Sequence, residues 1–179
     1  YPTLSSGAVR GGQITAKGNT KYAEITKEQA EKFALKKDDV LIVRGNGNKQ
    51  LTGKCGIVGT VPKGCFYPDL LIRLQFDEEI IRPKFASLQW NAPRTHQRLV
   101  SRAKSTNGIW KINGKDISQH TLKVPSIEEQ DTLLEEIKTI QQARSDLEER
   151  KKKVQTLKAL ALKKIEQGEG VCLSTKPTQ

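Results

Sequence analysis

Three groups of side chains carry the residue types that nucleic-acid recognition needs. Arg44, Asn46, Asn48, Lys49 and Lys54 fall on one connection between two apolar runs. Arg94, Arg98 and Arg102 recur every fourth residue, which places them on one face of a helix. Lys104, Asn107 and Lys111 follow directly. A guanidinium can meet guanine bidentately, a carboxamide can meet adenine, and an ammonium mainly finds phosphate. Each group also has a plainer use. Asn46 and Asn48 are ordinary turn formers, and Arg98 can close an intramolecular salt bridge.

Catalytic patterns are near misses. Gly45-Asn46-Gly47 opens like a dinucleotide loop, but Gln50 stands where the third glycine belongs and a strand follows instead of a helix. Gly47 to Gly53-Lys54 resembles a phosphate loop with one residue too many, and Cys55 replaces the hydroxyl that would hold magnesium. Asp69 with Glu78-Glu79 has no nearby lysine to complete a nuclease cluster. Asn91-Ala92-Pro93-Arg94 lacks the second proline and the aromatic residue of a base-methyltransferase loop. His96 sits among arginines and is expected to be exposed or to face phosphate. Cys55, Cys65 and Cys172 form no Cys-x-x-Cys, and His96 and His120 are the only histidines, which is too few grouped ligands for zinc. The expectation is therefore a non-catalytic chain without cofactor or metal.

Composition agrees with a binding role. The 179 residues are 35% apolar and 28% charged, with a mean hydropathy of −0.59. The net charge of +11 is unevenly placed: residues 1–125 hold 21 basic and 10 acidic side chains, and residues 126–179 hold 10 of each. A unit with such an excess attracts polyanions, with counterion release as the driving term. No run of eighteen apolar residues is present, so no membrane-spanning helix is expected. The start, Tyr1-Pro2-Thr3-Leu4, lacks the basic and apolar regions of a signal peptide, and methionine is absent even at position 1. A fragment or processed chain is expected. An odd cysteine count without a secretion signal favours reduced thiols in the cytoplasm, with a Cys55–Cys65 bridge as the minority reading.

These residues need elements to position them. Residues 1–24 are rich in Gly, Ser and Thr and read as turns around short extended pieces. Thr26 and Gln29 have capping-box spacing, for a short helix ending near Leu35. The run Val40-Leu41-Ile42-Val43 predicts a strand buried on both faces. Residues 45–49 read as a polar loop able to adopt positive φ. Further strands are expected at 56–61 and 69–76, so the sheet should be mixed or antiparallel. A helical pattern covers 82–104, with Pro93 opening a second segment and Leu99 and Val100 facing the core. Ser105-Thr106-Asn107-Gly108 breaks it, residues 110–113 are extended, and 120–124 should form a last strand before Pro125.

Ser126 then caps a helix without Pro or Gly until Gly168, about 60 Å long at ~1.5 Å per residue. Leu133, Ile137, Ile140, Leu147, Val154, Ala161 and Ile165 follow an imperfect heptad, which Leu134, Leu157 and Leu160 widen. Such a stripe needs a partner helix. The pairing interface is expected at Leu133, Ile137, Ile140, Leu147, Val154, Leu157, Ala161 and Ile165. The fold class is thus α+β: a mixed or antiparallel sheet domain with short helices, followed by a long C-terminal coiled-coil helix. The domains are expected at 1–125 for recognition, 126–167 for the helix and 168–179 for a disordered tail.

The order of these pieces resembles the specificity (S) subunits of type I restriction–modification enzymes. Lys37-Asp38-Asp39-Val40-Leu41-Ile42-Val43-Arg44-Gly45 with Gly53-Lys54-Cys55-Gly56-Ile57 is similar to that family's "gDvLi…G…gi" section. Ala103-Lys104-Ser105-Thr106 through Ile112, then Ile117 through Leu122-Lys123-Val124-Pro125-Ser126-Ile127-Glu128-Glu129-Gln130, resembles its "a.gt…i…l…ipvP…eQ" junction. The resemblance covers roughly residues 1–167, and the Val-Pro-x-x-x-x-Gln junction before a long helix is its most specific piece. It implies a non-catalytic subunit that reads one half of a bipartite site on double-stranded DNA. It also implies docking of methyltransferase (M) subunits on the long helix, a possible restriction subunit, and a second copy or missing half as the helix's partner. The alternative is a coiled-coil adaptor or structural protein with a basic RNA- or membrane-binding face.

Overall fold

The computed structural model describes residues 1–168 of the chain; the expected tail beyond Gly168, with Cys172, lies outside the described residues. Strands β1 (Pro2–Leu4), β2 (Val9–Arg10), β3 (Gln13–Ile14) and β4 (Thr20–Tyr22) precede helix α1 (Lys27–Lys32). Then come β5 (Val40–Val43), β6 (Gly45–Asn46), β7 (Cys55–Val58) and β8 (Leu71–Leu74). Helices α2 (Pro83–Asn91) and α3 (Pro93–Val100) lead to β9 (Lys104–Thr106), β10 (Ile109–Lys111), α4 (Gly114–Ser118) and α5 (Ile127–Gln167). The architecture is α+β, with a mixed central sheet, short helices and one long C-terminal helix. A compact unit spans Tyr1–Leu134 and includes about two turns of α5.

The central sheet has the order β2-β3-β7-β5-β8, with β3 parallel to β7 and the other pairs antiparallel. β5 lies inside it and is at most 2% exposed at any residue. Strand alternation sends Leu41 and Val43 into one core with Leu4, Ala8 and Val58. Val40 and Ile42 enter a second core with Trp90, Leu99 and Ile112. The expected two-sided burial holds because N-terminal segments cover one face and α2 and α3 cover the other.

Two glycines fit this packing. A Cβ on Gly56 would lie 2.8 Å from the Gln13 carbonyl oxygen, so the close approach of β3 to β7 requires its absence. Gly53 has φ +77, and a Cβ there would meet Leu99 at 3.0 Å.

Local chemistry sets the helix ends. Thr26 and Gln29 form both arms of the capping box. α1 stops at Lys32, short of Leu35, because the Leu35 N–H bonds the Cys65 carbonyl and Ala34 bridges to Phe66. Ala92, forced out of the helical region by the following proline, has ψ 137 and separates α2 from α3. The Asn91 side chain then turns back to β7: its Nδ2 donates to the Cys55 carbonyl at 2.8 Å, and its Oδ1 accepts from the Cys55 N–H at 3.1 Å. A carboxamide thus fills the ladder position beyond the end of β3.

Residues 120–124 do not form the expected strand. Their carbonyls are met by side chains instead: Gln89 Nε2 donates to Lys123 at 2.7 Å and Arg98 Nη2 to Thr121 at 3.3 Å. The His120 ring meets Trp90 edge to face, with centroids 4.5 Å apart.

The junction into α5 is built on Gln130, whose side chain is fully buried. Its Oε1 accepts from the Arg82 N–H at 2.9 Å, and its Nε2 donates to the carbonyls of Ile80 at 3.0 Å and Pro125 at 2.9 Å. Ser126 and Glu129 cap the helix reciprocally. Arg82 grips Asp131 through two 2.9 Å bonds, which hold that carboxyl below its ordinary range. From Glu135 onward, Ile140, Leu147, Val154, Leu157 and Ile165 are 64–75% exposed along the helix.

Gln130→Ala would leave the Arg82 N–H and two carbonyls without partners, so urea unfolding should show a loss on the order of 2–4 kcal/mol. An unchanged midpoint would remove Gln130 from this role.

Candidate nucleic-acid interface

The connection after β5 is more ordered than a polar loop. Gly45 and Asn46 form β6 instead of adopting positive φ, and neither Gly45 nor Gly47 has a left-handed backbone. Asn46 Oδ1 accepts from the Asn48 N–H at 2.8 Å, and Asn48 Oδ1 accepts from the Gln50 N–H at 2.9 Å. Both side-chain oxygens are thus committed to successive turns, leaving the amide NH₂ groups as the outward polar function. Helices below pin the end of the loop: Trp90 Nε1 donates to the Gly53 carbonyl at 2.8 Å, and His96 Nε2 lies 2.9 Å from the Thr52 carbonyl.

His96 therefore departs from its expected place. It is buried, and because a carbonyl can only accept, its Nε2 carries the proton. Burial lowers its pKa, with Lys54 adding repulsion. Lys54 itself is half-buried, its pKa lowered by desolvation, and its Nζ contacts the Asn91 carbonyl at 3.4 Å. Arg44 is exposed, and it borders a different cavity of about 340 Å³ beside Phe33, Phe66 and Tyr67.

On α3 the buried side is Thr95, His96, Leu99 and Val100, and Arg94 and Arg98 lie on the exposed side. Among the described residues Arg98 has no salt-bridge partner; it donates to the Thr121 carbonyl and so secures the segment after α4. Arg102 lies beyond the end of α3, in the turn that leads to β9, so the expected three-arginine helix face has two members.

The third group forms a hairpin. Asn107 (φ 51) and Gly108 (φ 76) are a two-residue turn with both central residues left-handed, the geometry whose twist matches paired strands. β9 and β10 pair across it, placing Lys104 opposite Lys111 and Ser105 opposite Trp110. β10 also pairs with β6, placing Trp110 opposite Asn46 and Lys111 opposite Gly45. Lys49 Nζ sits 4.3 Å over the Trp110 ring. The hairpin is tied to the core by buried Ile112, whose N–H bonds the Arg44 carbonyl at 3.0 Å.

This small sheet brings together Asn46, Lys49, Lys104, Asn107 and Lys111. The extended segment expected from Trp110 is present as β10, whereas Ser105 and Thr106, expected to break a helix, belong to β9; the Asn107-Gly108 dipeptide is the sequence signal for the hairpin. Residues 82–123 hold nine basic side chains and one acidic one, Asp116. That carboxylate is engaged, accepting from the Asn113 N–H at 2.9 Å. Among the described residues, none of the basic candidates in the three groups takes part in an ion pair. Cys55 and Cys65 are free and buried, and burial pushes the Cys55 thiol up to about 11, too high for a nucleophile at neutral pH. No group of His, Cys, Asp and Glu among the described residues could hold a metal ion. The arrangement suits anion contact by a rigid cationic surface.

Comparison with known proteins points the same way. The family model described as the type I restriction modification DNA specificity domain matches residues 1–157. The chain is 24% identical over 141 residues to the type I restriction enzyme EcoKI specificity subunit of Escherichia coli (strain K12). That alignment covers 78% of this chain and 30% of the relative, so the chain spans less than a third of the relative's length.

The two histidines set an acid limit on this scaffold. Both have lowered pKa values, each chiefly through burial, with Arg98 and Arg102 repelling the charged form of His120. Unfolding raises them toward about 6.5, so the unfolded chain binds more protons below that pH. Their contribution is complete above about 6.5 and is lost as pH falls toward the folded values. The melting temperature should therefore drop between about pH 7 and pH 5.5, and His120→Phe, which keeps the ring on Trp90, should flatten that drop. An equally steep drop in the variant would refute the assignment for His120.

Proposed function

The chain belongs to the type I restriction modification DNA specificity domain family, and on that premise we propose that it reads one half of a bipartite duplex DNA target without catalysing a step. The observation that carries this is the cationic run over residues 82–123, where among the described residues only Arg82 is ion-paired and the lone acid is occupied by a helix cap. Cations left unneutralised by their own fold are the ones a phosphate backbone can use. A two-stranded ribbon is also one of the two elements that the major groove admits. In this reading Lys49, Lys104, Lys111 and Arg102 position the duplex. Arg94 and the carboxamide of Asn107 are the groups suited to base edges, and Lys54 and Arg98 mainly hold the scaffold.

The helix has a separate role in the same reading. Its exposed apolar residues pair with another such helix as a coiled coil, from a second copy or from a further part of the subunit. The paired helices space two recognition units and dock methyltransferase subunits, to which a restriction subunit is added in the cytoplasm. Support comes from the exposed stripe at Ile140, Leu147, Val154 and Ile165.

Two measurements test these parts. Duplex affinity should fall steeply with salt, and Arg102→Gln should reduce the slope by about 0.9, without lowering the melting temperature. Salt-independent binding would sink the DNA reading. Light scattering should find a dimer that Leu147→Asp with Val154→Asp converts to monomer. A dimer that survives both changes rules out pairing through this stripe.

A further inference from the structure

The hairpin holds a like-charge pair that folding alone does not explain. Lys104 and Lys111 are direct cross-strand partners in the β9–β10 ladder, and both are exposed. Side chains so placed start from Cβ atoms ~4.5–5.5 Å apart, and like charges there are destabilising. Among the described residues neither lysine takes part in an ion pair. β10 is the middle strand, so Lys111 has a second cross-strand neighbour, but that neighbour is Gly45. A Cβ on Gly45 would lie 3.3 Å from Lys111 Cγ, so the lysine stem passes over the space that a side chain would take. On the same face the next pair along is Thr106 with Ile109, both uncharged. The single acid of residues 82–123, Asp116, is spent on the Asn113 cap.

We propose that Lys104 and Lys111 form a two-pronged site for one phosphodiester group of the DNA backbone. The inference rests on the DNA reading above and adds to it a defined subsite. In the free protein the ladder sets the two lysines side by side without a paired carboxylate, and an anion between them replaces like-charge repulsion with two charge-assisted hydrogen bonds. Buried Ile112, whose N–H bonds the Arg44 carbonyl, fixes the strand that carries Lys111. The subsite sets position along the duplex and carries no base information.

The site predicts opposite effects on the free and bound protein. In the full chain, Lys104→Gln or Lys111→Gln should raise the melting temperature by roughly 1–3 °C. The double variant should gain no more than the better single one, because either change removes the same repulsion. Lys111→Glu, facing Lys104, should melt at least as high as Lys111→Gln. With a short mixed-sequence duplex at about 0.1 M salt, each glutamine variant should bind roughly fivefold to tenfold more weakly with a shallower salt slope. Lys111→Glu should bind more weakly than either. Wild-type affinity and slope in the glutamine variants would overturn the subsite while leaving the DNA reading intact. So would additive or absent thermal gains. A wild-type chain that binds no duplex would overturn both.

Discussion

A four-residue strand that can tolerate water on neither side governs how this protein is built. Val40–Val43 sends alternate branched side chains into two separate cores, so both faces of the sheet must be covered. One cover is the turn-rich N-terminal segment; the other is the α2–α3 pair. The second has a further consequence. The residues leaving β5 pass over the same helices, and Trp90 and His96 use their ring N–H groups to fix the Gly53 and Thr52 carbonyls. Ile112 buries itself in that core and ties β10 back to Arg44. The cationic sheet is therefore anchored to the closed core beneath it as well as by its own ladder.

Side-chain amides take over where regular structure ends. Asn91 completes a strand that β3 is too short to pair, and Gln130 satisfies an N–H and two carbonyls around the start of α5. Each holds several buried backbone groups at once. That makes both residue types hard to replace, since an unmet buried group costs about 1–3 kcal/mol. A glutamine ending the Val124-Pro125-Ser126-Ile127-Glu128-Glu129-Gln130 junction is thus explained by the cavity it fills. The surface-compatible look of that side chain in the sequence is misleading.

Much of this was legible from residue order, for physical reasons. Four consecutive branched apolar residues admit few placements besides a fully buried strand, and Thr26 with Gln29, or Pro93 after Ala92, act locally. The same local chemistry made Asn46 and Asn48 turn formers. What escaped depends on distant partners. Residues 120–124 have strand-like composition, yet Gln89 and Arg98 answer their carbonyls from more than twenty positions away. His96 looked solvent-facing among its arginines, but the Thr52 carbonyl gives it a reason to be inside. Arg98 and Lys54 carry the same charge as Lys104 and Lys111. Only three-dimensional contacts separate cations that serve the fold from those left over.

Those left over define what kind of partner fits. Screening limits attraction in physiological salt to about 8–10 Å, so charge matters where it is both unpaired and at the contact. The hairpin and α3 meet that condition. Residues 126–167 do not: their acids and bases are equal in number, and pairs such as Glu149 with Lys153 at 2.7 Å satisfy one another along the helix. What α5 leaves unsatisfied is apolar surface, whose burial salt does not screen. The two parts of the chain therefore differ in their response to ionic strength: attraction of a polyanion by the first weakens with salt, and burial of the apolar surface of the second does not.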